Sequence, residues 1–276
     1  MIALVTAVTC SIPGVFLVLR GVAMMSDAIS HAILLGIVAM FLFIKRLDSP
    51  LLIVGAALAG IATVMCTELI IKSKRLKQDA AIGLIFPLFF SIGVILISQY
   101  ARTVHLDVDM VLLGELVFAP FNRFEIYGFD CGPSALWVLF MALCANVAFV
   151  ALFYKELVLA TFDATMATVM GFYPPFFYYG LMATTSLTAV AAFDIVGSIM
   201  VVALMITPAA TAYLLTRRVN EMIFMSVAIA SVAAILGYLF ASWADVSIAG
   251  SIAAMTGVCF VMGLLSQAKL HEVYSN

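Results

Sequence analysis

Two side chains near the start of the sequence have the types and the spacing of a cation-binding pair. Asp27 and His31 lie four positions apart, and residues four apart share one face of an α-helix, with Cβ atoms about 6 Å from each other. A carboxylate oxygen and an imidazole nitrogen suit Mn²⁺, Fe²⁺ and Zn²⁺, whereas Ca²⁺ and Mg²⁺ prefer oxygen ligands alone. Two ligands hold an ion weakly, so a second copy of the chain would have to supply another pair.

A purely structural role explains either residue taken singly. Asp27 could cap the N-terminus of a helix, and His31 could hydrogen-bond a backbone carbonyl. An ionisable pair beside an apolar stretch is nevertheless costly and is by default a functional hypothesis. The spacing alone leaves both interpretations open. The small residues Ala28, Ala32 and Gly36, which follow at four-residue spacing, predict that this helix approaches another helix closely.

The composition shows what kind of element must position this pair. Of the 276 residues, 66% are hydrophobic and 10% are charged, and a water-soluble fold of this size could not bury so much apolar surface. Apolar runs of about 20 residues recur, which is the length an α-helix needs to cross a bilayer. The sequence therefore predicts an all-α integral membrane protein with a single transmembrane domain over residues 1–276. Polar breaks place the spans near 2–20, 27–44, 50–72, 80–99, 133–153, 174–193, 195–216, 221–241 and 246–266.

The number of crossings is eight or nine, because Asp194 separates two apolar runs with almost no loop between them. The second run could begin as a broken or re-entrant piece, with a kink at Pro208. The polar stretch from Tyr100 to Gly132 is interrupted by short apolar runs and is predicted to be a structured external loop.

The distribution of positive charge predicts the orientation, because Lys and Arg are enriched on the cytoplasmic side. We expect four basic clusters to face the cytoplasm and the loop after Tyr100 to lie outside. Lys45 and Arg46 are the exception, since they would fall outside. The clusters are Lys72, Lys74, Arg75 and Lys77, then Lys155, then Arg217 and Arg218, and then Lys269.

Composition and motifs also exclude several classes of protein. The net charge is −2, and no basic stripe is present to neutralise nucleic-acid phosphates. The sequence contains no GxxxxGK[ST] phosphate loop, so the chain cannot hydrolyse ATP by itself. We expect no permanently bound cofactor, and we expect a transporter subunit rather than an enzyme.

Three stretches resemble motifs of one family, the permeases of manganese, zinc and iron ABC importers. Residues 19–36, which contain Asp27 and His31, are similar to the pattern RxMALxGDALSHAVLPG. Ser26 stands where a glycine is common, and Leu35 where a proline is common. Residues 155–171 look like the cytoplasmic coupling segment of the family, and residues 194–212 resemble its late GxLLVxALLxxPAATA signature.

The resemblance implies a dimeric permease of the type II importer kind in the bacterial inner membrane. Its partners would be a second permease protomer, identical or related, two ATP-binding subunits and an extracytoplasmic metal-binding protein. It implies that Asp27 and His31 contact the transported manganese, zinc or iron, and that one short cytoplasmic helix couples the permease to the ATPase. The coupling residues by this resemblance are Glu156, Phe162, Asp163, Ala167 and Gly171.

Other ionisable residues are candidates for the path or its entrance, namely Glu68, His105, Asp107, Asp109 and Asp194. Each has a simpler explanation. Glu68 could pair with Lys72 one helical turn away. The external HxDxD run could be a solvated acidic loop that docks the delivery protein. Asp194 could cap a half-helix.

Two other functions remain open from the residues alone. An ion-gradient-driven secondary carrier could use the same metal-binding pair with protons as the energy source. An intramembrane hydrolase could use Asp27 and His31 to hold a catalytic zinc, but a third ligand or a base, as in HExxH, is not evident nearby.

Overall fold

The computed structural model describes residues 1–45, 51–100, 123–126 and 129–275. Ten helices and one short hairpin make up this part of the chain. In chain order they are α1 Ile2–Leu19, α2 Met24–Ile44, α3 Leu51–Lys72, α4 Gln78–Tyr100, β1 Arg123–Ile126, β2 Phe129–Pro133, α5 Ser134–Leu152, α6 Tyr154–Phe162, α7 Ala164–Val169, α8 Pro174–Leu215, α9 Val219–Ala244 and α10 Ile248–Ser275.

Within the described residues, nine helical segments are long and apolar enough to cross a membrane, by length and composition. Seven are separate helices, and α8 supplies two, Pro174–Phe193 and Ile195–Leu215. This confirms the prediction of an all-α membrane protein. The described residues thus contain nine candidate spans, the higher of the two predicted numbers.

The helix α8 reverses direction at Gly197, where φ is 76° and ψ is 166°. A positive φ is accessible to glycine at little cost. The two ends of α8 lie at the same end of the bundle, because Tyr178 lies against Arg20 and Ala212 packs beside Leu19. The predicted break near Asp194 is therefore a turn between two antiparallel halves.

The connections between spans gather at two ends of the bundle. One end, which we call the basic end, carries the connections 20–23, 73–77, 153–173 and 216–218. Three of the four predicted cytoplasmic clusters lie at this end, namely those around Lys72, Lys155 and Arg218. Arg20 lies at the same end. The opposite end carries the β1–β2 hairpin, an antiparallel pair with Ile126 opposite Phe129. This hairpin, within the predicted external loop, was not foreseen from the sequence.

A buried amide joins three helices in the middle of the bundle. Asn146 of α5 is 1% exposed, and its Nδ2 donates to Thr188 Oγ1 of α8 at 2.6 Å and to the carbonyl of Thr9 in α1 at 3.2 Å. Water is scarce inside a bilayer, so a polar side chain there must find partners in the protein. Asn146 therefore cross-links α1, α5 and α8.

The predicted stripe of small residues is buried within the chain. Ala28, Ala32 and Gly36 are all buried, and a Cβ placed on Gly36 would lie 2.7 Å from Ala59 Cβ and would overlap the carbonyl of Gly55. The stripe thus lets α2 approach α3 of the same chain. The position of Gly36 leaves no room for a side chain.

Gly36→Ala should lower the thermal unfolding midpoint of the detergent-purified protein, because the added methyl group overpacks the α2–α3 contact by about 1–3 kcal/mol. The matched control is Gly83→Ala in α4, where a Cβ meets nothing within 4 Å. The control should keep or slightly raise the midpoint, because alanine is the better helix former. Equal midpoints for the two variants would contradict the tight α2–α3 contact.

Candidate functional site

The helix that carries the candidate pair begins after a turn built on Gly21. The N–H of Val22 donates to the carbonyl of Leu17 at 2.9 Å, and the N–H of Gly21 donates to that of Val18 at 3.0 Å. These two bonds form a Schellman motif, which needs a left-handed residue after the helix, and Gly21 has φ of 69°. The turn ends α1 and allows α2 to start at Met24.

Asp27 and His31 face each other in the first two turns of α2, near the basic end. His31 Nε2 lies 3.3 Å from Asp27 Oδ1, and the two side chains are 24% and 35% exposed, respectively. Ala23 is the N-cap residue of α2, and Asp27 lies in the first turn that follows it, so Asp27 does not cap the helix. The fold therefore does not give Asp27 the alternative role of a helix cap.

The imidazole of His31 lies against two aromatic rings of α4. Its centroid is 5.3 Å from that of Phe86 and 5.7 Å from that of Phe90, and the Phe90 ring is nearly perpendicular. Edge-to-face contacts of this kind favour one ring orientation. The rings therefore help to hold Nε2 toward Asp27.

The spacing of the two donor atoms fits a shared cation. Ligand atoms about 2.1 Å from a tetrahedral metal ion lie about 3.4 Å apart, which is close to the 3.3 Å between Nε2 and Oδ1. No group of three or more His, Cys, Asp or Glu side chains forms a metal site among the described residues. One chain therefore offers two donors and leaves the remaining coordination positions to other ligands.

Glu68 forms the ion pair that was one of its two predicted roles. Lys72 Nζ lies 2.8 Å from Glu68 Oε1, and the phenol of Tyr179 in α8 lies beside the same carboxylate. The other carboxylate oxygen, Oε2, is buried and has no hydrogen-bond partner within the described part of the chain. The carboxylate of Glu68 thus links α3 to α8 through Tyr179 at the basic end.

The other candidates for the path or entrance lie outside the described residues. They are His105, Asp107 and Asp109 of the HxDxD run. The backbone of Asp194 belongs to α8, and its side chain is also outside the described part. Their roles stay predictions.

The segment predicted to hold one short coupling helix contains two, α6 and α7, which meet at Asp163. Its carboxylate Oδ1 accepts a hydrogen bond from the N–H of Met166 at 2.8 Å, so Asp163 is the N-cap of α7. Capping by Asp satisfies one of the free N–H groups of a first helical turn. Asp163 therefore fixes the angle between the two helices through local chemistry.

Gly171 ends α7 in the same way that Gly21 ends α1. The N–H of Phe172 donates to the carbonyl of Ala167 at 3.0 Å, and the N–H of Gly171 donates to that of Thr168 at 3.0 Å. Gly171 has φ of 87°, which a side chain would disfavour. Ala167 is fully buried, so its small side chain anchors α7 to the body of the protein.

The exposed side of α6 and α7 is an apolar surface at the basic end, which we call the coupling surface. Phe162 is 64% exposed and Val169 is 79% exposed, and Met166, Met170 and Tyr173 are exposed beside them. Glu156, in the first turn of α6, is partly exposed. An apolar patch on the water-facing end of a membrane protein indicates a surface that binds another protein.

The structure adds a contact that the sequence analysis missed. Arg20 Nε donates to Thr161 Oγ1 of α6 at 3.1 Å, and the guanidinium carbon lies 5.6 Å from the ring centroid of Tyr178. Burial lowers the pKa of Arg20, and the nearby Tyr178 partly opposes this shift. The available signal was an arginine at the end of an apolar helix, but its partner is 141 residues away.

Nine candidate spans, a carboxylate–imidazole pair in α2 and the exposed apolar surface of α6 and α7 occur together in the described part of the chain. The chain belongs to the ABC 3 transport family, whose sequence profile matches residues 1–267. It is therefore a membrane permease subunit of an ABC transporter and not an enzyme, and ATP hydrolysis belongs to a separate chain.

Relatives and a solved structure agree with this family. The chain is 46% identical over 258 residues to the manganese transport system membrane protein MntD of Bacillus subtilis, covering 94% of this chain and 87% of MntD. It is 47% identical over 269 residues to the zinc transport system membrane protein TroD of Treponema pallidum, covering 98% and 73%. PsaBC from Streptococcus pneumoniae in complex with Fab superposes with a TM-score of 0.78 at 29% identity, covering 95% of this chain and 88% of that chain.

Asp163→Ala should loosen the first turn of α7, because the loss of an N-cap side chain costs about 1 kcal/mol. We expect faster hydrogen exchange at the amide of Met166, measured by mass spectrometry of the purified protein. Asp163→Asn should keep slow exchange, because asparagine caps a helix as well as aspartate. Similar exchange rates in the alanine and asparagine variants would show that the cap does not order α7.

Proposed function

We propose that this chain is the membrane-spanning subunit of an ATP-driven importer that moves manganese, zinc or iron into the cytoplasm of a bacterium across its inner membrane. The observation that carries the proposal is the Asp27–His31 pair, with donor atoms 3.3 Å apart. Membership of a family whose relatives are named for manganese and zinc transport supports the same conclusion.

A second permease protomer, identical or related, would complete the site. Two copies of the pair facing each other supply two carboxylates and two imidazoles, which is a full set of ligands for a tetrahedral ion. The partial exposure of both side chains in the single chain supports this arrangement, because it leaves their donor atoms accessible. The site would hold the ion only while the two copies face each other.

The pair suits transient binding of its cargo. Imidazole and carboxylate are donors for Mn²⁺, Fe²⁺ and Zn²⁺ alike, so these two residues do not choose among the three metals. A metal ion competes with protons for both groups, because ligands must be deprotonated to bind. The cation is the substrate of the protein and not a resident cofactor.

Energy would come from two ATP-binding subunits that dock on the coupling surface. The exposed Phe162 and Val169 supply apolar contacts, and Asp163 and Gly171 hold α7 in shape for docking. The abundance of Lys and Arg at the basic end supports its placement in the cytoplasm. An extracytoplasmic metal-binding protein would then deliver the ion to the opposite end.

The remaining ionisable candidates have smaller parts in this proposal. Glu68, already paired with Lys72, would face the cytoplasmic exit. The HxDxD run with His105, Asp107 and Asp109 and the turn with Asp194 would meet the delivery protein or the arriving ion.

Asp27→Ala and His31→Ala should each reduce metal accumulation to background, because each altered protomer then keeps only one of its two ligands. The measurement is uptake of radioactive Mn²⁺ by cells that produce the whole transporter. Asp79→Ala is the matched control, since Asp79 is also a carboxylate in the first turn of a span but is exposed. It should transport normally. Normal accumulation in both the Asp27 and His31 variants would remove the pair from the mechanism.

The energy source can be tested with purified protein in liposomes. We expect Mn²⁺ uptake only when the ATP-binding subunits and ATP are both present, because this chain contains no phosphate-binding loop. Uptake by the chain alone along a proton gradient would favour the secondary carrier. Added Zn²⁺ or Fe²⁺ should reduce Mn²⁺ uptake, and the metal that competes most strongly identifies the preferred cargo.

A further inference from the structure

Arg20 lies between the coupling surface and the helix that carries the candidate pair. It is the C-cap residue of α1, and its Nε donates to Thr161 Oγ1 at 3.1 Å. The Thr161 hydroxyl donates in turn to the carbonyl of Leu157 at 2.6 Å, so its lone pairs are oriented toward the guanidinium. Thr161 immediately precedes Phe162, which is exposed on the coupling surface.

The guanidinium of Arg20 is held by parts of the chain that are distant in sequence. It lies over the ring of Tyr178 in the first turns of α8, and it binds α6 through Thr161. Its Nη2 is buried and has no hydrogen-bond partner within the described residues. Arg20 is only partly buried, but a buried donor atom of a cation without a partner is unfavourable, so a role in positioning explains its presence better than stability does.

The connection from Arg20 to the pair is short and stiff. Gly21 and Val22 close the Schellman turn with hydrogen bonds to α1, and α2 starts two residues later and carries Asp27 in its first turn. A displacement of Arg20 therefore moves the start of α2, because the turn between them has little freedom.

We propose that Arg20 is the positioning residue through which α6 sets the position of the Asp27–His31 pair when the ATP-binding subunits move the coupling surface. This inference rests on the proposed function. When α6 moves, Thr161 moves with it, and the hydrogen bond from Arg20 to Thr161 displaces Arg20. The displacement of Arg20 then shifts the first two turns of α2. Such a link biases two arrangements of one element, which is the physical requirement for coupling between distant sites.

The test is the number of Mn²⁺ ions taken up per ATP hydrolysed by the complete transporter in liposomes. In Arg20→Met and in Thr161→Val, ATP hydrolysis should continue, while this ratio falls about tenfold, as expected for the loss of a hydrogen bond to a charged donor. The double variant should lose no more than Arg20→Met alone, because both changes remove one contact. Arg20→Lys should recover part of the ratio, since it keeps the charge but lacks the planar fork.

Two matched controls separate this role from general damage. Thr216→Val removes a partly buried hydroxyl at the basic end, outside the coupling surface, that donates to the carbonyl of Ala212, and Arg218→Met removes a charge from the same end, where Arg218 pairs loosely with Glu221. Both should keep the wild-type ratio. If Arg20→Met does not assemble, the comparison of Thr161→Val with Thr216→Val decides. Equal ratios in these two valine variants, or losses that add in the double variant, overturn the proposal.

A second readout does not depend on metal transport. Met24→Cys, at the exposed start of α2, is labelled with a maleimide in a background that lacks the other cysteines. ATP should change the labelling rate in the complex, and Thr161→Val should abolish this change while Thr216→Val keeps it. An ATP-dependent change that persists in Thr161→Val overturns the link. Failure of the unmodified transporter to take up manganese, zinc and iron alike would instead count against the proposed function.

Discussion

The account depends on one interaction, the contact between a carboxylate and an imidazole inside an apolar helix. Ionisable groups within a membrane-spanning segment are unfavourable unless they pair, meet water or bind an ion. Asp27 and His31 meet the condition through each other at 3.3 Å, and the rings of Phe86 and Phe90 favour the required orientation of the imidazole. The neighbouring face of α2 packs tightly on α3 at Gly36, so the helix is held while its polar face stays accessible.

The positions of these side chains depend on the turns that join the helices. Gly21, Gly171 and Gly197 all have positive φ, and each lies where a helix must end or reverse within a residue or two. The first places Arg20 and the start of α2 at the basic end, the second ends the coupling segment, and the third folds α8 into two spans. Local backbone chemistry therefore determines which residues can reach each other across the bundle.

The sequence predicts the spans well, because a run of about 20 apolar residues has few alternatives to a membrane helix. It also predicts that Asp27 and His31 face each other, since the four-residue spacing is a local property of one helix. It does not predict the contact of Arg20 with Thr161 or that of Asn146 with Thr9 and Thr188, because these partners meet only through packing of distant helices. The stripe from Ala28 to Gly36 indicates close packing, but only the fold shows that α3 is the neighbour.

The most direct test of the central claim is pulsed electron paramagnetic resonance of Mn²⁺ bound to the complete transporter. The account predicts hyperfine coupling to imidazole ¹⁴N in the unmodified protein and loss of that coupling in His31→Gln, where no imidazole remains on α2. Bound Mn²⁺ without nitrogen coupling, or the same coupling in His31→Gln, would contradict it.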